Sequence, residues 1–417
     1  MPKNSRIVLI DESKLLWLFG FSMGLVGVKV SGNNSLNLGN LLFVVILVLA
    51  LSKLERIRFH IYPLALIAIF VFSLFISTAY SDYTDLALRG SVAYLGYALS
   101  FVVGLLLLKG ATGIIAFFQG MSLSVVVVAV AAGLTALGIA PLGEVNSARN
   151  MFGFVMPFPK VVPLGLSNGY AVACYVVGIF YNLIDVMFRI SRRRHALKIA
   201  FFIITLFGAF VLQSRNFIVS ALAFAILLPA VLVLRGRGPL RFVSMLVVVA
   251  IAGVFTYVLT SERELIYGFI DVSKSNVEIR LMQWELALHL VNENLWTGIG
   301  PGAFAEIFVH PYMKYHQLAF HSGTFGYFVD LGVLGFFSYV LLLIYSTTRF
   351  WKSIWPASLT KVYAFVLLMP ITLTLVQLAT PAYGSKLIWF LMAYGCTVSR
   401  GEGACNRGAR KYESASF

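Results

Sequence analysis

Long apolar runs separated by short polar breaks make up most of this chain. They fall near residues 15–30, 38–52, 61–79, 91–109, 113–136, 161–186, 199–214, 216–234, 242–260, 323–346, 361–379 and 383–398. A run of about 20 mostly apolar residues crosses ~30 Å of hydrocarbon as a helix. Helices are expected because every backbone N–H and C=O inside a bilayer has to be bonded within its own segment. The pattern predicts an all-α integral membrane protein with about 12 transmembrane helices. Two loops exceed a turn, one near 137–160 and a larger one at 261–322. Within the larger loop, Val277, Leu281, Trp284, Leu288 and Val291 recur in steps of four and three. That spacing predicts an amphipathic helix with those residues on one face, resting on the membrane or on the bundle. The polar tail after Val398 reads as disordered.

Composition supports the membrane class. The 417 residues are 59% hydrophobic and 12% charged, against about 25% charged in a soluble domain. The net charge of +15 would fit a nucleic-acid binder, but the basic residues sit in short clusters between apolar runs, so no nucleic-acid partner is implied. SKLERIRFH, FRISRRRHALK, LRGRGPLR and TTRFWKS all fall on one side if the runs alternate. With both termini in the cytoplasm, 22 of the 32 Lys and Arg lie inside, whereas 11 of the 17 Asp and Glu lie outside. The positive-inside rule selects that orientation. The N-terminus MPKNSRIVLIDESK reads as a lead-in to the first span, not a cleaved signal. Cys174, Cys396 and Cys405 fall in two spans and the tail, and no disulfide is expected.

Chemistry gathers on the outer side. Arg215, in LQSRNF, sits between two apolar runs with almost no loop to hold it. A guanidinium at that depth pairs or faces a cavity, the alternative being a head that snorkels to lipid phosphates. Arg280 flanks the apolar stripe of the amphipathic helix, where it either anchors the helix or binds an anion. Gly298, Gly300 and Gly302 in GIGPGAF read as a sharp turn, since no P-loop lysine follows. The spacings of His310, His316 and His321 do not fit a zinc site. Asp82 and Asp85 read as a solvated carboxylate pair, and Arg89, opening a span, as an anion contact. His321 precedes a helix in which Gly332 and Gly335 allow close helix approach. An imidazole there can take a proton from an alcohol or orient an anion. Asp330 lies about half a rotation away from it.

In their order, LQSRNFIVSALAF, EIRLMQWELALHLVNENLWTGIGPGAF and HSGTFGYFVDLGVLGFF resemble the bacterial O-antigen ligase and O-antigen polymerase superfamily over roughly 205–345. Many members carry His-Asn at the last motif, where this chain has His321-Ser322. The resemblance implies four divisions: N-terminal helices 1–198, a core at 199–346, C-terminal helices 347–398 and a cytoplasmic tail 399–417. It further implies a glycosyltransferase of the bacterial inner membrane, with its site facing the periplasm and no cofactor or metal. The donor would be a glycan on undecaprenyl diphosphate; the acceptor would be a lipid-linked repeat unit or lipid A–core, and a chain-length regulator would be a further partner. Arg215, Arg280 and His321 would be catalytic, with Arg89, Gln283, Trp284 and Asp330 contacting diphosphate or acceptor. Polymerase is favoured over ligase, and a lipid-linked oligosaccharide flippase remains the alternative of another class.

Overall fold

The structure is a computed structural model. It describes residues 11–26, 37–55, 60–108, 110–146, 150–151, 154–155, 158–164, 166, 168–188, 195–214, 263–308, 323–354 and 386–397, with isolated positions between 217 and 246. The apolar runs near 242–260 and 361–379, most of the run near 216–234, and His310, His316 and His321 lie outside the described residues.

The helices are α1 (Glu12–Gly24), α2 (Leu38–Leu51), α3 (Ile61–Ala79), α4 (Thr84–Leu107), α5 (Gly110–Ala136), α6 (Asn168–Phe188), α7 (His195–Leu212), α8 (Arg263–Glu293), the single turn α9 (Phe304–Ile307) and α10 (Gly323–Ile354). A last helix, α11, covers residues 386–397. Among the described residues five helices are long and apolar enough to cross a membrane: α3, α4, α5, α7 and α10. The protein is a helical multi-span membrane protein. Among the described residues the one departure from an all-α reading is a pair of antiparallel two-stranded sheets, β1 (Gly143–Asn146) with β4 (Lys160–Pro163), and β2 (Asn150–Met151) with β3 (Phe154–Val155). The apolar run near 161–186 therefore begins as a strand, and its helix starts only at Asn168. Pro163 favours this, since the residue before a proline is pushed out of the helical region into the extended one.

Local sequence sets several helix ends. Asp11 accepts the Ser13 N–H at 3.0 Å and Asn37 accepts the Asn40 N–H at 2.7 Å, so α1 and α2 both start on a side-chain cap. α4 starts at Thr84, earlier than its apolar run, with Asp85 in its first turn beside the positive end of the helix dipole. Hydroxyls inside the spans bond back to their own helix: Ser73 donates to the Phe70 carbonyl at 2.8 Å and Thr78 to that of Leu74 at 2.7 Å.

The core is aromatic and centred on α11. Leu387 through Tyr394 are all buried, as expected for a helix that is apolar on every side. Trp389 packs on Phe70, Tyr339 and Tyr327, and its indole N–H donates to the Tyr327 hydroxyl at 3.1 Å. Phe390 meets Phe19 and Phe117. α1 and α5 approach backbone to backbone. A Cβ on Gly20 would sit 2.0 Å from the Phe117 carbonyl oxygen, and one on Gly120 would sit 1.8 Å from that of Trp17. Small residues at such crossings let dispersion contacts and helix packing replace a hydrophobic drive that lipid does not supply.

Gly120→Ala is therefore expected to lower stability by about 1–3 kcal/mol through overpacking against backbone. Gly96→Ala, whose Cβ would meet only the flexible Lys386 side chain at 3.5 Å, should be nearly silent. Unfolding midpoints of the two variants in detergent check this contrast.

Candidate active site

The second half of the described chain meets at the end of the bundle where α3 passes into α4. α10 is not one helix. At Gly332 the backbone takes φ 68° and ψ −167°, dividing it into an upper segment, 323–331, and a longer segment below. A break of this kind frees backbone groups that hydrocarbon cannot satisfy. The loop after α8 supplies the partners. The Ile299 N–H donates to the Val329 carbonyl at 3.0 Å, the Gly300 N–H to the Asp330 carbonyl at 3.1 Å, and the Val333 N–H to the Leu295 carbonyl at 2.9 Å. Only glycine fits at both halves of this joint. Gly298 has φ 68°, and a Cβ there would lie 2.4 Å from the Asp330 carbonyl; one on Gly332 would lie 2.5 Å from that of Trp296.

Hydroxyls from the last turn of α3 and from the α3–α4 turn close the joint. Ser81 donates to the Ile299 carbonyl at 2.7 Å, and Ser77 donates to the Asp330 carbonyl. The Asp330 carboxylate is buried and accepts from the Tyr94 hydroxyl at 2.5 Å and from the Gly302 N–H at 3.4 Å. One residue thus ties α3, α4, α10 and the glycine turn together. The turn read from the sequence is present, and its N–H groups at 299, 300 and 302 are spent on α10.

α8 docks against this joint by Ile279, Gln283, Ala287 and Val291, which are buried beside Phe304, Phe308 and Val329. This corrects the expected single apolar face. Leu281, Trp284 and Leu288 are exposed, and only Val291 of the predicted stripe described here turns inward. The packed face follows steps of four, and the predicted stripe lies beside it round the helix. At 100° per residue α8 has three faces: one packed, one apolar and outward, and a polar one carrying Glu278, Glu285, His289 and Asn292. Arg280 is half-buried on the seam between the packed and the outward apolar face.

The structure gathers some of the sequence candidates. Arg89 is exposed on α4 at this same end, next to Gly90, whose added Cβ would meet the Pro301 carbonyl at 2.3 Å. Gln283 is fully buried on the packed face of α8, and Trp284 stacks on Phe325 of α10 with ring centroids 4.6 Å apart. Arg215 and His321 lie outside the described residues. α7 ends at Leu212, with Gln213 at φ 48° and its amide donating to the Phe158 carbonyl at 2.7 Å, and α10 begins two residues after His321. Sequence reasoning missed Ser77, Ser81 and Tyr94. The run of hydroxyls at the end of an otherwise apolar α3 was the available signal. It also missed Lys386, whose ammonium donates to Asn40 at 2.6 Å and lies 4.3 Å from the centre of the Phe43 ring.

Residues 200–340 match the family model described as O-Antigen ligase. Over that stretch, about a third of the chain, the protein is similar to this family, and the match supports the O-antigen ligase/polymerase superfamily. The matched stretch opens in α7, takes in α8 and the glycine turn, and closes in α10 just past the Gly332 break. What this family region holds in common with the geometry above is the joint itself. No curated protein matches the chain in a sequence search.

The Asp330–Tyr94 bond is expected to be coupled. Tyr94→Phe removes a donor from a buried carboxylate and should cost about 1–3 kcal/mol. Asp330→Ala should cost less in the Tyr94→Phe background than in the wild type. Denaturation midpoints of the two single variants and the double variant test the coupling.

Proposed function

We propose that this protein is an integral-membrane glycosyltransferase that moves a glycan from undecaprenyl diphosphate to a sugar hydroxyl on the periplasmic face, acting as an O-antigen or surface-polysaccharide polymerase. The observation that carries the reading is the position of Arg280, half-buried at the bundle end inside the family-matched region. The positive-inside count gives that end to the periplasm.

The chemistry suits these residues. An acceptor hydroxyl attacks the anomeric carbon, the bond from that carbon to the diphosphate oxygen breaks, and the lipid diphosphate leaves with the electron pair. Negative charge grows on the leaving group, so fixed cations stabilise the transition state more than the ground state. Arg280 and Arg215 fill that role in this proposal, because guanidinium pairs bidentately with phosphate and stays charged. His321 takes the acceptor's proton. Arg89, exposed at the same end, supplies an outer contact for the anion. Gln283 and Asp330 act through the scaffold, since both are buried in it. Trp284, stacked on Phe325, flanks the acceptor path.

The ligase reading differs only in the acceptor. A gel of surface glycans separates the two. The gene is deleted and restored with wild type, Arg280→Lys or Arg280→Ala. Loss of long chains, with single repeat units still on lipid A–core, means polymerase. Long glycan stranded on undecaprenyl diphosphate, with bare core, means ligase. Arg280→Ala should behave as the deletion. Arg280→Lys should retain a small fraction of activity, a loss of about 10–100-fold for one charge-assisted, bidentate contact. Unchanged glycans in the deletion and in Arg280→Ala would overturn the glycosyltransferase reading and bring the flippase forward.

A further inference from the structure

The outward apolar face of α8 has a definite extent. Leu281, Trp284 and Leu288 follow steps of three and four, and the exposed Leu295 and Trp296 come next in the turn after α8 ends at Glu293. Leu281 is 63%, Leu288 52% and Trp296 65% exposed, which is unusual for such side chains on a face carrying no charge. Below the break, α10 exposes a second line in steps of three and four: Leu334, Phe337, Leu341 and Ile344. That second line belongs to one of the five helices long enough to cross a membrane, so lipid is what it meets. The two lines join at the break, where the Trp296 carbonyl abuts Gly332.

α3 serves as a depth gauge. Its 19 residues span about 28 Å at 1.5 Å per residue, close to the hydrocarbon thickness of ~30 Å. Ser77, two residues before its end, bonds the carbonyl of Asp330. The Gly332 break and Trp296 therefore stand at the edge of the hydrocarbon. Tryptophan is enriched at that depth, where an apolar ring and a polar N–H are both satisfied. The charges of α8 agree, because Glu278, Glu285 and His289 are exposed together on a different face.

We propose that the Leu281–Trp284–Leu288 face of α8, with Leu295 and Trp296 of the turn that follows, docks into the lipid leaflet at the α3–α4 end of the bundle, making α8 an interfacial helix wedged between protein and bilayer. Its packed face holds the bundle, its outward face enters the leaflet and its acidic face meets water. Arg280 then stands on the line where protein and leaflet meet. If the transferase reading holds, a phosphate carried on a lipid reaches Arg280 sideways from the leaflet and need not leave it.

The docking itself is tested without any activity assay. Cysteine replaces Leu288 or, separately, Glu285, in full-length protein carrying Cys405→Ser, with the buried Cys174 and Cys396 left in place. Each is labelled with an environment-sensitive nitrobenzoxadiazole and reconstituted in phosphatidylcholine–phosphatidylglycerol vesicles. The label at Leu288 is expected to be quenched by doxyl groups high on the lipid tails and spared by aqueous iodide, with the label at Glu285 showing the reverse. Equal iodide quenching at both sites would overturn the proposal by putting the face in water. A label at Leu288 that neither quencher reaches would overturn it as well, by showing that protein covers the face.

Discussion

A helix broken inside a membrane has to find partners for the backbone groups it frees, and this need governs the second half of the chain. Gly332 breaks α10, one of the helices long and apolar enough to cross a membrane. Water is scarce there, and each unbonded amide or carbonyl costs several kcal/mol. The glycine turn after α8 settles the account with its own backbone: two N–H groups donate to α10 and one carbonyl accepts from it. Backbone-to-backbone bonding of this closeness leaves no room for side chains, so glycine is needed on both sides.

Several other features follow from that joint. The Asp330 carboxylate, placed just above the break, must be satisfied in its turn, and Tyr94 and Gly302 do so. Ser77, in the last turn of α3, and Ser81, in the α3–α4 turn, add further bonds. The joint therefore fixes α8 against α3, α4 and α10 at once, and α8 carries Arg280. The network thus fixes the backbone from which Arg280 projects, and electrostatic stabilisation gains from a cation whose base is held in place. The N-terminal helices act further back. Gly20 and Gly120 bring α1 onto α5, and α11 fills the centre with Trp389 and Phe390, giving α3 and α10 a rigid wall.

Much of this was legible in the sequence because membranes simplify the code. Apolar runs of the right length gave most of the described spans, and GIGPG announced a turn at the end of α8. Gly335 does allow the close approach expected of it, since a Cβ there would lie 2.7 Å from the Ser73 hydroxyl on α3. Gly332, three residues earlier, does something else and breaks the helix. Nothing local separates those two roles. The difference lies in which backbone waits across the gap, and that backbone comes from Leu295 and Trp296. The Tyr94–Asp330 bond is invisible for the same reason, as its partners are 236 residues apart. The strand at 160–163 was hidden because an apolar run of that length reads equally as strand or helix until Pro163 is weighed.

The amphipathic stripe of α8 shows how a correct period can be assigned to the wrong partner. Its recurrence in threes and fours was real, but periodicity says only that residues share a face. Two apolar arcs lie side by side on this helix, and the one carrying Ile279, Ala287 and Val291 is the one buried in protein. Ala287 and the β-branched Ile279 and Val291 pack against protein, whereas Leu281 and Leu288 point away from it and Trp284 reaches α10 only by stacking on Phe325 at its edge. A helix with both arcs needs two different apolar neighbours. In a soluble protein the second would be another subunit or domain; at the edge of a bilayer it is already present. Arg280 lies between the arcs, and its stem can follow apolar surface while its head reaches the phosphate level. The helix's cross-section alone thus accounts for a guanidinium held half-buried without a close-packed site around it.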